Sequence, residues 1–172
     1  TIVKNKIQIK SKKIILLKQI HSNEFHFIDK NSKSIKKGFK GDALITNKIN
    51  LPIAVLTADC APILVHDEKE KMIAAIHAGW KGAYKDIIPR VVNFMIKKGC
   101  SSRNITAVIG PCISVNNYQV KEDFIKKFIK KDKKNKVFFR KTKNKNYFNL
   151  NKYIYSQLKA LNIKKIDIID KN

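Results

Sequence analysis

Three short apolar runs stand almost end to end in this chain, and they limit what it can fold into more than any other feature. They are LPIAVLTADC (51–60), APILVHD (61–67) and MIAAIHA (72–78). Runs this short, rich in Val and Ile and separated by turn residues, suit buried strands; a helix needs roughly 10–12 residues of sustained period. Pro52 opens the first run, and DEKEK (67–71) has the composition of a hairpin turn between the other two. Strands this apolar must be covered on at least one face, so a second layer has to pack on them. None approaches the ~20 apolar residues that span a bilayer, and no membrane partner is expected.

The flanking sequence supplies that layer. IQIKSKKIILLKQI (7–20) reads as one or two strands ending at His21, and 22–41 as a polar loop holding a short strand from Phe25 to Ile28. DALITN (42–47) is a further strand. The period changes in GWKGAYKDIIPRVVNFMIKKG (79–99), where Tyr84, Ile87, Ile88, Val91, Val92 and Met95 recur at helical spacing. Pro89 predicts a kink inside that helix and Gly99 its stop. NITAVIGPCIS (104–114) is a strand breaking at Gly110–Pro111, 116–131 a second amphipathic helix, and 149–163 a third, capped by Asn149 or Asn151. Residues 136–150 contain strand-like pieces, the lysine run 131–146 reads as a solvated loop, and KKIDIID (164–170) is a last strand. Strands first, then strands alternating with helices, predict an α+β fold of mixed sheets rather than a pure Rossmann unit.

At 172 residues the chain fits a single domain. The N-terminus TIVKNKIQIK has no signal-peptide pattern, so a cytoplasmic protein is expected. Its 37 Lys+Arg against 13 Asp+Glu give a formal charge of +24. A polyanion partner is one reading. Nearly all the charge is lysine, however, with much Ile and Asn, the residues of A/T-rich codons. Compositional drift accounts for that more simply, and specific nucleic-acid binders lean on arginine's bidentate fork. No specific nucleic-acid partner is expected. Cys60, Cys100 and Cys112 are an odd number with no CxxC pair, which argues against a disulfide framework or a zinc knuckle.

Several runs end in residues capable of chemistry: QIH at His21, TADC at Cys60, IHAGWKG at His77 and IGPC at Cys112. Strand ends are where sheets of this kind place side chains over a shared crevice. Two imidazoles and a thiolate form a zinc-type donor set with the fourth tetrahedral position open to water. Taken singly, each residue is better read as a buried structural His or Cys; taken together at strand ends, the two readings stand level. Asp59 beside Cys60 is a candidate general base or hydrogen-bond partner for a ligand histidine; a strand-end cap is the plainer alternative. In HAGWKG, Gly79 and Gly82 allow close backbone approach, and Lys81 adds a positive charge at a helix start. Phosphate binding and a simple tight turn explain that segment equally well.

QIH (19–21), GDALITN (41–47), LPIAVLTADCAPILV (51–65), AAIHAGWKGAYKDII (74–88) and IGPCISVNNYQV (109–120) together resemble the YfiH family, also called multicopper polyphenol oxidase-like or laccase-domain proteins. The resemblance implies a layered α/β/β/α sandwich with mixed sheets and outer helices. It implies a metal at His21, Cys60 and His77, with zinc the expected ion and copper the alternative. The implied activities are phosphorolysis of adenosine, inosine, guanosine and methylthioadenosine, and deamination of adenosine. A peptidoglycan-editing hydrolase acting on a muramyl-serine precursor and a copper-type phenol oxidase are the alternatives. Catalytic roles fall to Asp59, Cys60 and His77, phosphate contacts to Gly79, Lys81 and Gly82, and a monomer or homodimer is expected. A TRxGGxS-type segment before QIH and an FSYRR-type segment at the C-terminus, usual in the family, are not found in these residues. The expectation is one family domain over 1–172, shortened at both ends.

Overall fold

A computed structural model describes residues 14–32 and 38–169. Six strands form one mixed sheet in the order β1-β2-β4-β3-β5-β9. These are β1 (Phe25–Ile28), β2 (Ala43–Thr46), β3 (Ala61–Asp67), β4 (Met72–Ala78), β5 (Ile105–Ile109) and β9 (Lys165–Ile168). The central strands β2, β4, β3 and β5 pair antiparallel; β1 joins β2, and β9 joins β5, in parallel. A second, antiparallel sheet has the order β6-β8-β7, from β6 (Gln119–Val120), β7 (Phe139–Thr142) and β8 (Lys145–Phe148). The helices are α1 (Trp80–Tyr84), α2 (Ile87–Lys97), α3 (Glu122–Lys131) and α4 (Leu150–Ala160). The expected α+β architecture with mixed sheets is the one that forms.

Alternation decides which face of the large sheet carries the core. Along β3, Ala61, Ile63, Val65 and Asp67 are buried while Leu64 and His66 are exposed. In β5 the buried positions are Ile105, Ala107 and Ile109. Against this face α2 lays Ile87, Ile88, Val91, Val92 and Met95, all fully buried. That stripe recurs at the helical period, and each such side chain contributes about 1.5–3 kcal/mol on burial. On the opposite face a cleft of about 450 Å³ is lined by Ile53, Leu64, His66, Ile73 and Val108.

The same core continues between the small sheet and the helices. Phe128 of α3 is fully buried, with ring centroids of Phe124, Phe148, Tyr84 and Tyr153 at 4.8, 4.9, 5.0 and 5.2 Å. Phe124 stacks on Phe128 and the other rings meet it tilted or edge to face, arrangements that add about 0.5–1.5 kcal/mol per pair beyond burial.

Several expectations change. Residues 51–60 are not a buried strand: their one ladder contact is an isolated bridge between Ile53 and Ile15, and Leu56 is 66% exposed. The strand that follows them, β3, is paired on both sides, with β4 and β5. The 7–20 strand falls partly outside the described residues; from 14 on, only isolated bridges at Ile15 and Lys18 form. The helix expected over 79–99 is two, α1 and α2, broken at Asp86 with φ 63. Pro89 does not kink a helix interior. It is third in α2, within the first turn, where its missing N–H has no intrahelical partner to lose. The 116–131 helix begins only at Glu122, because 119–120 join the small sheet. The 131–146 run is ordered as the end of α3, a 3-10 helix (Lys133–Phe138) and the β7–β8 hairpin. Gly99, with φ 106, does end α2, and the Asn149 side chain caps α4 by accepting from the Lys152 amide.

Candidate metal centre

The β3–β4 hairpin sets two of the three candidate ligands side by side. Its register pairs Ala61 with Ala78 and Pro62 with His77. Extended by one residue, it puts Cys60 opposite Gly79 where the two strands leave the sheet. A Cβ on Gly79 would lie 2.6 Å from Cys60 Sγ and 3.2 Å from His21 Cδ2, so only glycine leaves room there. Gly82 is similarly filled, with the Ser22 carbonyl oxygen 2.9 Å from the position of a Cβ. The two glycines of HAGWKG thus fit α1 against the ligands and the loop that carries His21.

His21 reaches the site from that loop, ahead of β1. Gln19 holds the loop to the 51–60 segment, its amide donating to the Leu56 carbonyl and accepting from the Leu56 amide, each at 2.8 Å. The ligand atoms of His21, Cys60 and His77 all lie within 4.8 Å of one another. Cys60 Sγ is 3.7 Å from His21 Nε2, and the imidazoles meet edge to face at 4.8 Å between centroids. Zinc–nitrogen and zinc–sulfur bonds of about 2.0–2.3 Å place tetrahedral ligand atoms roughly 3.3–3.6 Å apart. The triad therefore fits a zinc ion with small side-chain shifts. Exposure grades across it, from buried His77 through Cys60 to exposed His21, which leaves one side open to solvent.

Asp42 is the residue that sequence reasoning missed. It sits fully buried just before β2 and accepts five kinds of hydrogen bond. Its Oδ1 takes the Ile20 amide at 3.2 Å, the His21 amide at 3.0 Å and His77 Nδ1 at 2.8 Å. Its Oδ2 takes the Ser22 amide at 2.5 Å and the Ser22 hydroxyl at 2.7 Å. Burial pushes the carboxyl up, but the Ser22, His77 and His21 donors outweigh it and hold Asp42 below its usual value. The signal in the sequence was the Gly-Asp pair opening an apolar strand: a carboxylate entering a core has to find donors.

The Cys60 thiol is raised by burial first, then by the charges of Asp59 and Asp42. Without a cation it stays protonated at neutral pH; a bound metal reverses that balance. Asp59 is exposed beside it, at the edge of a cleft of about 520 Å³ also lined by Cys112, Ser114, Asn116 and Asn117. The Ile113 amide donates to the Asp59 carbonyl at 3.0 Å and so ties the IGPC loop to this edge. Tyr118 adjoins the same wall; burial, then the negative charges of Cys60, Asp59 and Cys112, push its phenol up to about 12. Lys81 is exposed on α1, its Nζ 5.8 Å from the Trp80 ring centroid. Trp80 itself packs edge-on against Phe124. His66 lies exposed on β3 and Cys100 buried in the core, both apart from the triad.

The family model for the multi-copper polyphenol oxidoreductase laccase matches residues 1–172. The chain belongs to that family. Among its relatives, a purine nucleoside phosphorylase of Rickettsia conorii is 37% identical over 171 residues, covering 96% of this chain and 69% of the relative. Another of that name, from Rickettsia prowazekii, is 37% identical over 150 residues, 87% of this chain and 60% of the relative. The crystal structure of the Bacillus licheniformis protein YfiH superposes with a TM-score of 0.86 at 24% identity, over 96% of this chain and 66% of that one. The chain thus spans about two thirds of the length of these proteins. Among its described residues, no helix is long and apolar enough to cross a membrane.

Proposed function

We propose that this chain is a zinc-dependent enzyme of purine nucleosides, catalysing phosphorolysis and, on adenosine, deamination. The observation that carries the reading is the convergence of His21, Cys60 and His77 beside a polar cleft edged by Asp59. The names of the relatives, purine nucleoside phosphorylases, support the substrate class. Zinc held by the three ligands supplies a Lewis-acidic position open to substrate or water.

The chain's own groups do the rest. The cleft takes the nucleoside, with the Asn116 and Asn117 amides available to the polar edge of the base. In phosphorolysis a phosphate oxygen attacks the ribose C1′, the C1′–N9 bond breaks, and N9 leaves with a proton. Lys81, exposed on α1, holds the phosphate in this scheme, and the buried Gly79 and Gly82 shape the turn that presents it. Because α1 has only five residues, its dipole is slight and the lysine charge carries most of the attraction. In deamination, water adds at C6 and ammonia departs; Asp59 takes the proton from water and returns it to the leaving nitrogen. The test is the zinc-loaded chain with adenosine, with and without phosphate, products resolved by chromatography. Adenine and ribose 1-phosphate are expected only with phosphate, inosine in both. Zinc uptake with no nucleoside converted under either condition would refute the reading.

A further inference from the structure

We infer that Asp42 is the positioning residue that organises both histidines of the metal centre before any ion arrives. The inference rests on the metal reading of the triad. His21 has φ 55, in the left-handed region that a residue with a Cβ rarely adopts. Such a conformation persists only where its surroundings impose it. Here the three consecutive amides of Ile20, His21 and Ser22 all point at one carboxylate, at 3.2, 3.0 and 2.5 Å. Successive N–H groups around a left-handed residue form an anion-binding concavity, and Asp42 is the anion that fills it. The carboxylate thereby holds the turn that directs the His21 side chain toward Cys60.

The same Oδ1 faces Nδ1 of His77 at 2.8 Å. An ionised carboxylate can only accept, so Nδ1 carries the proton and the lone pair is left on Nε2, the one remaining ligand atom of that ring. The His77 amide also donates to the Asp42 carbonyl at 2.7 Å, which fixes the strand as well as the ring. Asp42 stands 21 residues from His21 and 35 from His77, yet sets the backbone of one and the tautomer of the other. A carboxamide in its place would turn an N–H toward amides that themselves donate.

A second buried carboxylate provides the control. Asp67 is also fully buried and accepts from the Glu70 and Ser101 amides at 3.1 and 3.0 Å, but it is not among the groups around the triad. If Asp42 served only as structural ballast, Asp42→Asn and Asp67→Asn would behave alike. The experiment measures zinc affinity by chelator competition for the intact chain, Asp42→Asn, Ser22→Ala and Asp67→Asn, with the fold of each metal-free protein checked by circular dichroism. Loss of an outer hydrogen-bond partner typically weakens metal binding about 10–100-fold. That loss is expected for Asp42→Asn, a smaller one for Ser22→Ala, and no change for Asp67→Asn. Folded Asp42→Asn with the affinity of the parent chain, or with no more loss than Asp67→Asn, overturns the inference. Should Asp42→Asn not fold, imidazole nitrogen spectra of the metal-free parent chain decide. A His77 tautomer protonated on Nδ1 is expected, and one protonated on Nε2 overturns it. Neither readout involves nucleoside turnover, so this inference and the proposed activity fail separately.

Discussion

Gly79 owes its identity to Cys60. An added Cβ would sit 2.6 Å from the Cys60 sulfur, well inside van der Waals contact, so Gly79→Ala must push the thiol or α1 aside. Zinc content of the purified variant, by elemental analysis, is expected to fall with the fold retained, and full occupancy would show that α1 yields and the thiol does not. Cys100 answers to a different force. Burial, then the charges of Asp67 and Glu70, push its thiol up to about 12, against about 8.5 in an unfolded chain. Between those values the unfolded state has released the proton and the folded state has kept it. Stability from this group is therefore full below about pH 8.5 and declines as pH rises, by at most about 1.4 kcal/mol per pH unit. The melting temperature of Cys100→Ala is expected to fall less steeply than that of the parent between about pH 9 and 11; parallel curves would contradict this. At this scale the convergence of His21, Cys60 and His77 was legible, because the three residue types share a chemistry and stand in motifs, QIH, ADC and HAGW, that resemble those of the laccase-domain family. Asp42 was not, because a carboxylate before a strand does not announce donors 20, 21 and 35 positions away.

Elements divide according to whether local signals decide them. The α4 cap is local: Asn149 accepts from the Lys152 amide at 2.8 Å. Asn149→Ala is expected to cost about 1 kcal/mol in urea unfolding, and no loss would show that tertiary packing alone holds the first turn. Gly99 at the end of α2 and the β3–β4 hairpin were legible on the same grounds. The break between α1 and α2 was not, because it depends on distant partners. Lys131 from α3 donates to the Asp86 carboxylate at 2.7 Å and to the Tyr84 carbonyl, pinning the turn where the two helices part. The 51–60 run misled for a related reason. Its apolar residues satisfy a strand pattern, but a strand also needs a ladder partner, and this segment makes only the isolated bridge from Ile53 to Ile15. Its backbone is met at Leu56 by the Gln19 side chain instead.

Across the whole molecule the charge of +24 is spread over lysines that mostly lack acidic partners. Among the described residues, Lys131 is the one lysine within ion-pair distance of a carboxylate. Such a surface offers phosphate contacts and little base readout, so binding to random duplex DNA is expected to collapse between roughly 50 and 200 mM salt. A sequence preference surviving at physiological salt, read by competition binding, would contradict that. The triad also has a consequence for the chain as a polymer. Its ligands come from a loop ahead of the first strand and from both arms of a hairpin, with His21 and Cys60 separated by 39 positions. An ion gripping all three is a removable cross-link that holds two loops closed at once, and it binds the folded chain far better than the unfolded one. Folding is then coupled to metal by mass action: free zinc at a hundred times its dissociation constant adds about 2.7 kcal/mol. Melting temperature is expected to climb with the logarithm of free zinc and to fall back on chelation. In a metal-poor cell a chain stabilised in this way would spend more of its time unfolded, so that starvation for one ion would thin the population of the protein itself.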